Sequence, residues 1–150
     1  MIAVLQRVSK ASVSVDGVIV GKCEKGLAIL LGVAEGDGEK DAKVLAEKIS
    51  KLRIFTDEND KMNLSLVDVD GEALVISNFT LLANYAHGNR PDYMSAAKPA
   101  EAERLYDFFC GELALKIKSV EKGVFGADMA VDISNDGPVT IVMDSKILVK

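Results

Sequence analysis

The segment Leu27–Val33 constrains the fold of this chain more than any other stretch, because it is apolar throughout apart from one glycine. A run of this length without polar alternation is typical of a strand that is buried on both faces. Two alternating segments, Ala11–Val15 and Val18–Cys23, precede it and flank Asp16-Gly17, a two-residue hairpin signal. With a further strand over Ile2–Val8, the first part of the chain predicts an antiparallel hairpin followed by a central strand.

Two later segments carry apolar residues at helical spacing. The first runs from about Glu39 to Leu52, and the second begins at Pro99, a residue that suits the first turn of a helix. Strand patterns cover Glu72–Phe79 and Ser119–Lys122. We therefore expect an α+β fold, with mostly antiparallel, barrel-like β-sheets and two helices packed on the outside, built as a single domain over residues 1–150.

Composition narrows the class of protein. The chain is 49% hydrophobic and 27% charged, which is typical of globular proteins, and no apolar run is long enough to span a bilayer. The N-terminal segment reads as a strand and not as a signal peptide. Cys23 and Cys110 lack metal or redox spacing, so we expect two buried thiols in a reducing, cytosolic setting.

The net charge of −5 argues against a broad, sequence-independent grip on nucleic acid. Such binding needs many contacts between basic side chains and phosphates. The composition still allows a local basic patch that contacts a short nucleic-acid end.

The stretch Asn135–Thr140 lies between two apolar runs, Met129–Ile133 and Val139–Met143. Asn-Asp-Gly-Pro is turn chemistry, so the pattern predicts two strands joined by a turn. The Gly137-Pro138 bond can adopt cis at a cost of only about 0.5–1 kcal/mol, and glycine lets a ligand approach the backbone closely. An ordinary hairpin turn is the simpler interpretation, and a rigid corner that presents its carbonyls is the alternative.

Few side chains have an obvious chemical role. The run Ser77-Asn78-Phe79-Thr80 closes a strand, where backbone N–H groups can stabilise an oxyanion, or where the hydroxyls simply bond to the strand end. Arg7 lies on an apolar strand face, which indicates either a rim position, the commoner case, or a paired position inside. A Ser-His-Asp triad would have to use His87, the only histidine. We find no metal-ligand spacing and no phosphate-binding glycine loop, so no metal or cofactor is expected.

Together these motifs resemble the D-aminoacyl-tRNA deacylase family along essentially the whole chain. The matching segments are Leu5–Val8 with Ala11–Val13, Leu27–Val33, Ser77–Leu81, Gly88–Pro91, Phe125–Met129 and Asn135–Thr140.

The resemblance implies a cytoplasmic hydrolase that releases D-amino acids, and also glycine, from the acceptor end of mischarged tRNA, without a membrane partner. It further implies a homodimer with cross-subunit active sites. In that dimer the Gly137-Pro138 corner, with a cis bond, enters the partner's pocket and rejects L-aminoacyl-tRNA. The 2′-hydroxyl of the terminal adenosine is expected to assist the attacking water.

The resemblance also assigns roles to individual residues. The Phe79 N–H would hold the oxyanion, with Ser77 and Thr80 beside it. On the substrate side, Arg7 would steady the Gly137-Pro138 corner, and Met129 would line the pocket. Asn78 departs from the family, which usually has glutamine there, a side chain one methylene longer.

Three alternatives stay open at the level of sequence. Thr80 could act as a covalent nucleophile, although no base is positioned by the sequence to activate it. The chain could be a catalytically silent binding module for tRNA or protein on the same fold, which Asn78 alone supports. It could also be a general hydrolase of small esters.

Overall fold

One long strand, β1, pairs with three other strands and so organises the structure, a computed structural model that describes residues 1–149. The strands are β1 (Ile2–Val15), β2 (Val18–Cys23), β3 (Gly26–Gly32), β4 (Phe55–Thr56), β5 (Met62–Leu64), β6 (Glu72–Ser77), β7 (Ser119–Lys122) and β8 (Ala130–Asp144). The helices are α1 (Glu39–Lys51), α2 (Pro99–Ala114) and the short α3 (Ser145–Leu148), and residues Phe79–Leu82 form a 3₁₀ helix. The two long helices coincide with the predicted ones, whereas α3 was not predicted.

The main sheet has the strand order β2-β1-β3-β6-β7, and β8 pairs with β1. Strand β2 comes back close to β7: a Cβ atom placed on Gly21 would lie 2.5 Å from the carbonyl oxygen of Lys122. Only glycine permits this approach, which nearly closes the sheet into a barrel. The α+β prediction is confirmed, with one refinement: β6 pairs in parallel with both β3 and β7, so the sheet is mixed.

The apolar residues fill two clusters, one between the sheet and the helices and one inside the barrel. In the first, Leu45 of α1 and Leu105 of α2 are fully buried together with Leu5 and Ile29 of the sheet. The continuous apolar run of β3 supplies both clusters because successive strand side chains point to opposite faces. Both cysteines are free and buried, as predicted.

The C-terminal strand contradicts the predicted hairpin. Residues 130–144 form one strand, β8, which runs antiparallel to β1 over almost its whole length. The register is interrupted between the pairs Val8–Asn135 and Gln6–Thr140, so that residues 136–139 bulge out opposite Arg7. The turn residues predict a hairpin because a sequence pattern does not reveal that β1 is long enough to pair with both apolar runs.

The end of β6 also differs from the prediction. The strand stops at Ser77, and Phe79 begins the 3₁₀ helix instead of ending a strand. No helix within residues 1–149 is long and apolar enough to cross a membrane.

Candidate active site

A cleft of about 930 Å³ lies at the carboxyl ends of β3 and β6. These strands pair in parallel, with Leu31 opposite Ser77, so both chains leave the sheet at the same edge. The start of α2 and the segment Phe125–Met129 form the other walls. The lining is mainly apolar, which provides a site where electrostatic interactions with a substrate are stronger than in water.

Four predicted residues enter the cleft together at the end of β6: Ser77, Asn78, Phe79 and Thr80. The Asn78 N–H donates to the carbonyl of Leu31 at 2.8 Å, which fixes the point where the chain leaves the sheet. The chain then turns into the 3₁₀ helix.

The 3₁₀ helix begins at Phe79, so the first N–H groups have no acceptor within the helix. Such groups at a helix start favour negative charge in front of them. The Phe79 ring is 58% exposed and packs edge-on against Tyr93, with the ring centroids 5.0 Å apart. The helix start therefore lies at the cleft, which Phe79 and Thr80 both line, and the ring contact holds this segment in place.

Thr80 and Asn78 are joined through their side chains. The Thr80 hydroxyl donates to the Asn78 Oδ1 atom in a short hydrogen bond. With its proton directed to an amide oxygen, the hydroxyl offers its lone pairs to other groups. No base among the described residues contacts it, so the arrangement differs from that of an activated nucleophile.

Met129 lies on the opposite wall of the cleft. Its sulfur would be 2.6 Å from a Cβ atom on Gly123, so the glycine makes room for this side chain. Met129 also packs against the cluster inside the barrel, which ties the cleft to the core.

The remaining predicted residues, Arg7, Gly137 and Pro138, form a second cluster at the bulge of β8. Arg7 is only 8% exposed, so the predicted rim position is wrong. Its Nε donates to the carbonyl oxygen of Asp136 at 3.1 Å, and its Nη1 donates to that of Ile54 at 2.8 Å. The Arg7 guanidinium thus links the bulge to the chain entering β4.

Further contacts hold the bulge from its two ends. The side-chain Nδ2 of Asn135 donates to the backbone carbonyl oxygens of Arg7 and Val139, at 2.9 and 3.0 Å. The Gly137-Pro138 peptide bond is cis, and both residues are exposed. Gly137 has a φ of +135°, a conformation that disfavours any residue with a side chain.

The two clusters lie apart within one chain. Ser77, Asn78, Phe79, Thr80 and Met129 line the cleft, whereas Arg7, Gly137 and Pro138 do not. The single chain therefore presents an open cleft and, elsewhere on its surface, an exposed backbone corner.

Other candidate chemistries find little support. His87 is exposed in the loop after the 3₁₀ helix and does not line the cleft, so no triad forms around it. Burial raises the pKa of the Cys110 thiol to about 12 and the pKa of the Cys23 thiol to about 11, which keeps both protonated and poor nucleophiles. Within residues 1–149, no three His, Cys, Asp or Glu side chains lie close enough together to hold a metal ion.

Several residues of the cleft were not identified from the sequence, among them Tyr93, Ala97 and Tyr106. Tyr106 falls on the apolar stripe of α2, but its hydroxyl donates to the carbonyl oxygen of Val75 at 2.7 Å and anchors the helix beside the cleft. Helical periodicity does not separate a cleft-lining position from a core position. No sequence signal identified the loop residues.

The chain is similar to known proteins both in sequence and in structure. The family model described as D-Tyr-tRNA(Tyr) deacylase matches residues 4–144. A D-aminoacyl-tRNA deacylase of Caldicellulosiruptor saccharolyticus is 58% identical over 146 residues, which cover 97% of this chain and 98% of that protein. A protein of the same name from a Sulfurihydrogenibium species is also 58% identical, with coverages of 97% and 99%. The solved structure of a c-Myc DNA Unwinding Element Binding Protein superposes with a TM-score of 0.91 at 39% identity, covering 96% of this chain and 98% of that one.

Arg7→Lys is expected to lower the free energy of unfolding by about 2 kcal/mol, because an ammonium group cannot reach both carbonyl oxygens that the guanidinium fork binds. Urea unfolding measures the change, and amide hydrogen exchange should become faster at residues 134–140. Arg90→Lys, on an exposed loop, is the matched control and should stay within about 0.5 kcal/mol of the parent chain. Equal stabilities for both variants would show that the Arg7 contacts do not hold the bulge.

Proposed function

This chain belongs to the D-Tyr-tRNA(Tyr) deacylase family, and from that membership we propose that it hydrolyses the ester that joins a D-amino acid to the terminal ribose of tRNA. The family's enzymes are hydrolases, and D-aminoacyl-tRNA is their substrate. The observation that carries the proposal is the match over residues 4–144, which includes every residue that lines the cleft. We take residues 1–150 as one deacylase domain that works in the cytoplasm, where charged tRNA is used.

The proposed reaction uses backbone donors and water. Water adds to the ester carbonyl carbon, and the Phe79 N–H stabilises the oxyanion that forms. The bond from carbon to the ribose oxygen then breaks, and the ribose oxygen takes a proton. The neighbouring 2′-hydroxyl of the terminal adenosine assists the attacking water, so the RNA supplies part of the chemistry.

Thr80 and Asn78 have a positioning role in this proposal. Because the Thr80 hydroxyl donates to Asn78, its lone pairs can accept a hydrogen bond from the substrate. Asparagine replaces the glutamine usual in the family and retains the amide, but with a shorter reach. Ser77 supports the same segment from the last position of β6.

The selection of the D-amino acid is assigned to the Gly137-Pro138 corner of a partner subunit. Carbonyl oxygens at the corner accept hydrogen bonds from the substrate ammonium, so an L side chain would collide with backbone while a D side chain points away. Such a filter works by exclusion and does not read the side chain. It therefore accepts many D-amino acids and also glycine, which has no side chain to exclude.

Two features of the protomer support completion of the site by a partner. The corner is exposed and lies outside the cleft of its own chain, and Arg7 holds it from behind. A two-fold dimer would place each corner in the other subunit's cleft, giving two equivalent sites. Met129 then lines the pocket that receives the corner.

A nucleic-acid-binding role without catalysis is the second candidate. It is favoured by the solved relative at 39% identity, whose name describes a protein that binds a DNA unwinding element. Turnover separates the two candidates, because a binding protein would retain charged tRNA without releasing the amino acid.

Phe79→Pro tests the oxyanion donor directly. Proline is tolerated at the first position of a helix, and Asn78 before it already has the extended conformation that proline requires. Phe79→Ala is the matched control, since it removes the same ring but keeps the N–H. We expect kcat for D-Tyr-tRNA to be about 10²–10³ lower in Phe79→Pro than in Phe79→Ala. Equal rates in the two variants would remove this N–H from the mechanism.

Mixed dimers test the cross-subunit site. Phe79→Pro disables the cleft, and Gly137→Val disables the corner because its Cβ would lie 2.8 Å from the Val139 nitrogen. Each variant alone should be inactive. After the two are unfolded together and refolded, a mixed dimer contains one site with both parts intact, so we expect about a quarter of the wild-type activity.

If each site were completed within one chain, no subunit of the mixture would have both parts, and no activity would return. A monomer in light scattering at micromolar concentration would equally contradict the shared site.

A further inference from the structure

Five lysines surround a shallow groove on the helical side of the molecule, which we call the lysine groove. Lys40, Lys43, Lys48 and Lys51 come from α1, and Lys116 follows the end of α2. Two glutamates share the groove, so among residues 1–149 its lining carries five lysines and two glutamates. This concentration of positive charge stands out in a chain with a formal net charge of −5.

Glu47 organises the centre of the groove. Its carboxylate pairs with Lys51 at 2.5 Å and with Lys116 at 2.6 Å, so it connects α1 to the end of α2. Hydrogen bonds from the Lys116 and Lys51 ammonium groups lower the pKa of Glu47 to about 2. The carboxylate therefore stays ionised and holds two of the lysines in place.

Within residues 1–149, no other side chain pairs with the ammonium groups of Lys43 and Lys48. Both side chains are exposed, and neither has an ion-pair or hydrogen-bond partner within residues 1–149. The apolar side chain of Val44 also lines the groove. An isolated excess of ammonium groups is costly through mutual repulsion unless an anionic partner neutralises it.

The groove and the cleft are joined by one rigid element. Ala102 near the start of α2 lines the cleft, and Glu112 near its end lines the groove, which places them about 15 Å apart along the helix. Helix α1 lies alongside α2 and starts at the same end, where Glu39 pairs with Arg104 at 2.8 Å. From Lys40 to Lys51 the groove therefore extends ~16 Å along α1, beside α2 and not beyond it. A nucleic-acid duplex carries a charge every ~1.7 Å of its axis, so a row of this length faces several phosphates.

We propose that the lysine groove binds phosphates of the helical stem of the tRNA whose aminoacyl end occupies the cleft. This inference rests on the proposed function for the identity of the RNA. The lysines act as point charges on the backbone and carry no sequence information. The groove thus supplies affinity for tRNA in general, while the cleft and corner select the amino acid.

Uncharged tRNA is the probe for the test, because its binding can be measured whether or not the chain is a deacylase. The variant is Lys43→Ala with Lys48→Ala, and the matched control is Lys22→Ala with Lys25→Ala. The control lysines are equally exposed but lie before β3, at the opposite end of that strand from the cleft. Fluorescence anisotropy gives Kd over a series of salt concentrations.

The groove variant should bind tRNA about tenfold more weakly, and the slope of log Kd against log salt should fall by about two. The control should behave as the parent chain does. Equal affinities and slopes for groove variant and parent would overturn the proposal, and so would an equal loss in the control, since that would reflect overall charge.

A second measurement separates this proposal from the proposed function. The ratio of kcat/KM on intact D-Tyr-tRNA to that on 3′-D-tyrosyl-adenosine should fall about tenfold in the groove variant. A parallel loss on both substrates would indicate a folding defect and contradict a role in binding the stem. If the parent chain binds tRNA through the groove but releases no amino acid, the result contradicts the deacylase proposal and supports tRNA binding by the lysine groove.

Discussion

The hydrogen bonds of the buried Arg7 guanidinium are the interactions on which the rest of this structure depends. It lies on β1 among apolar side chains, and it reaches the backbone carbonyls of Asp136 and Ile54. Burying a charge is costly unless it is well hydrogen-bonded, so Arg7 keeps the bulge of β8 and the chain near β4 in fixed positions. These contacts hold the exposed Gly137-Pro138 corner rigidly, as the proposed filter requires.

The cleft depends on a different constraint, the parallel pairing of β3 and β6. Their carboxyl ends meet at one edge, where the Asn78 N–H bonds to Leu31 and the chain turns into the 3₁₀ helix. That turn leaves the first N–H groups of the helix without acceptors at the cleft. The proposed site, which works through backbone donors, needs no catalytic side chain, and the cleft lining is mainly apolar.

Much of the fold could be predicted from local patterns, and the rest depended on contacts between distant residues. The hairpin at Asp16-Gly17 and the stripes of α1 and α2 are local, and they were found. The continuity of β8 was not, because four bulged residues read as a turn unless the pairing with β1 is known. Arg7 was placed at the rim because its acceptors lie far away in sequence. Local residue chemistry marked the segments around Phe79 and Gly137 as candidates, and the resemblance to a family gave these residues specific roles.

The most direct test of the stereochemical filter is the hydrolysis of tRNA charged with D-tyrosine, compared with the same tRNA charged with L-tyrosine. We expect rapid release of D-tyrosine at catalytic amounts of protein and no release of L-tyrosine beyond the rate in buffer. Hydrolysis of both at similar rates would show that the corner held by Arg7 does not select the hand of the amino acid, and release of neither would show that the chain is not a deacylase.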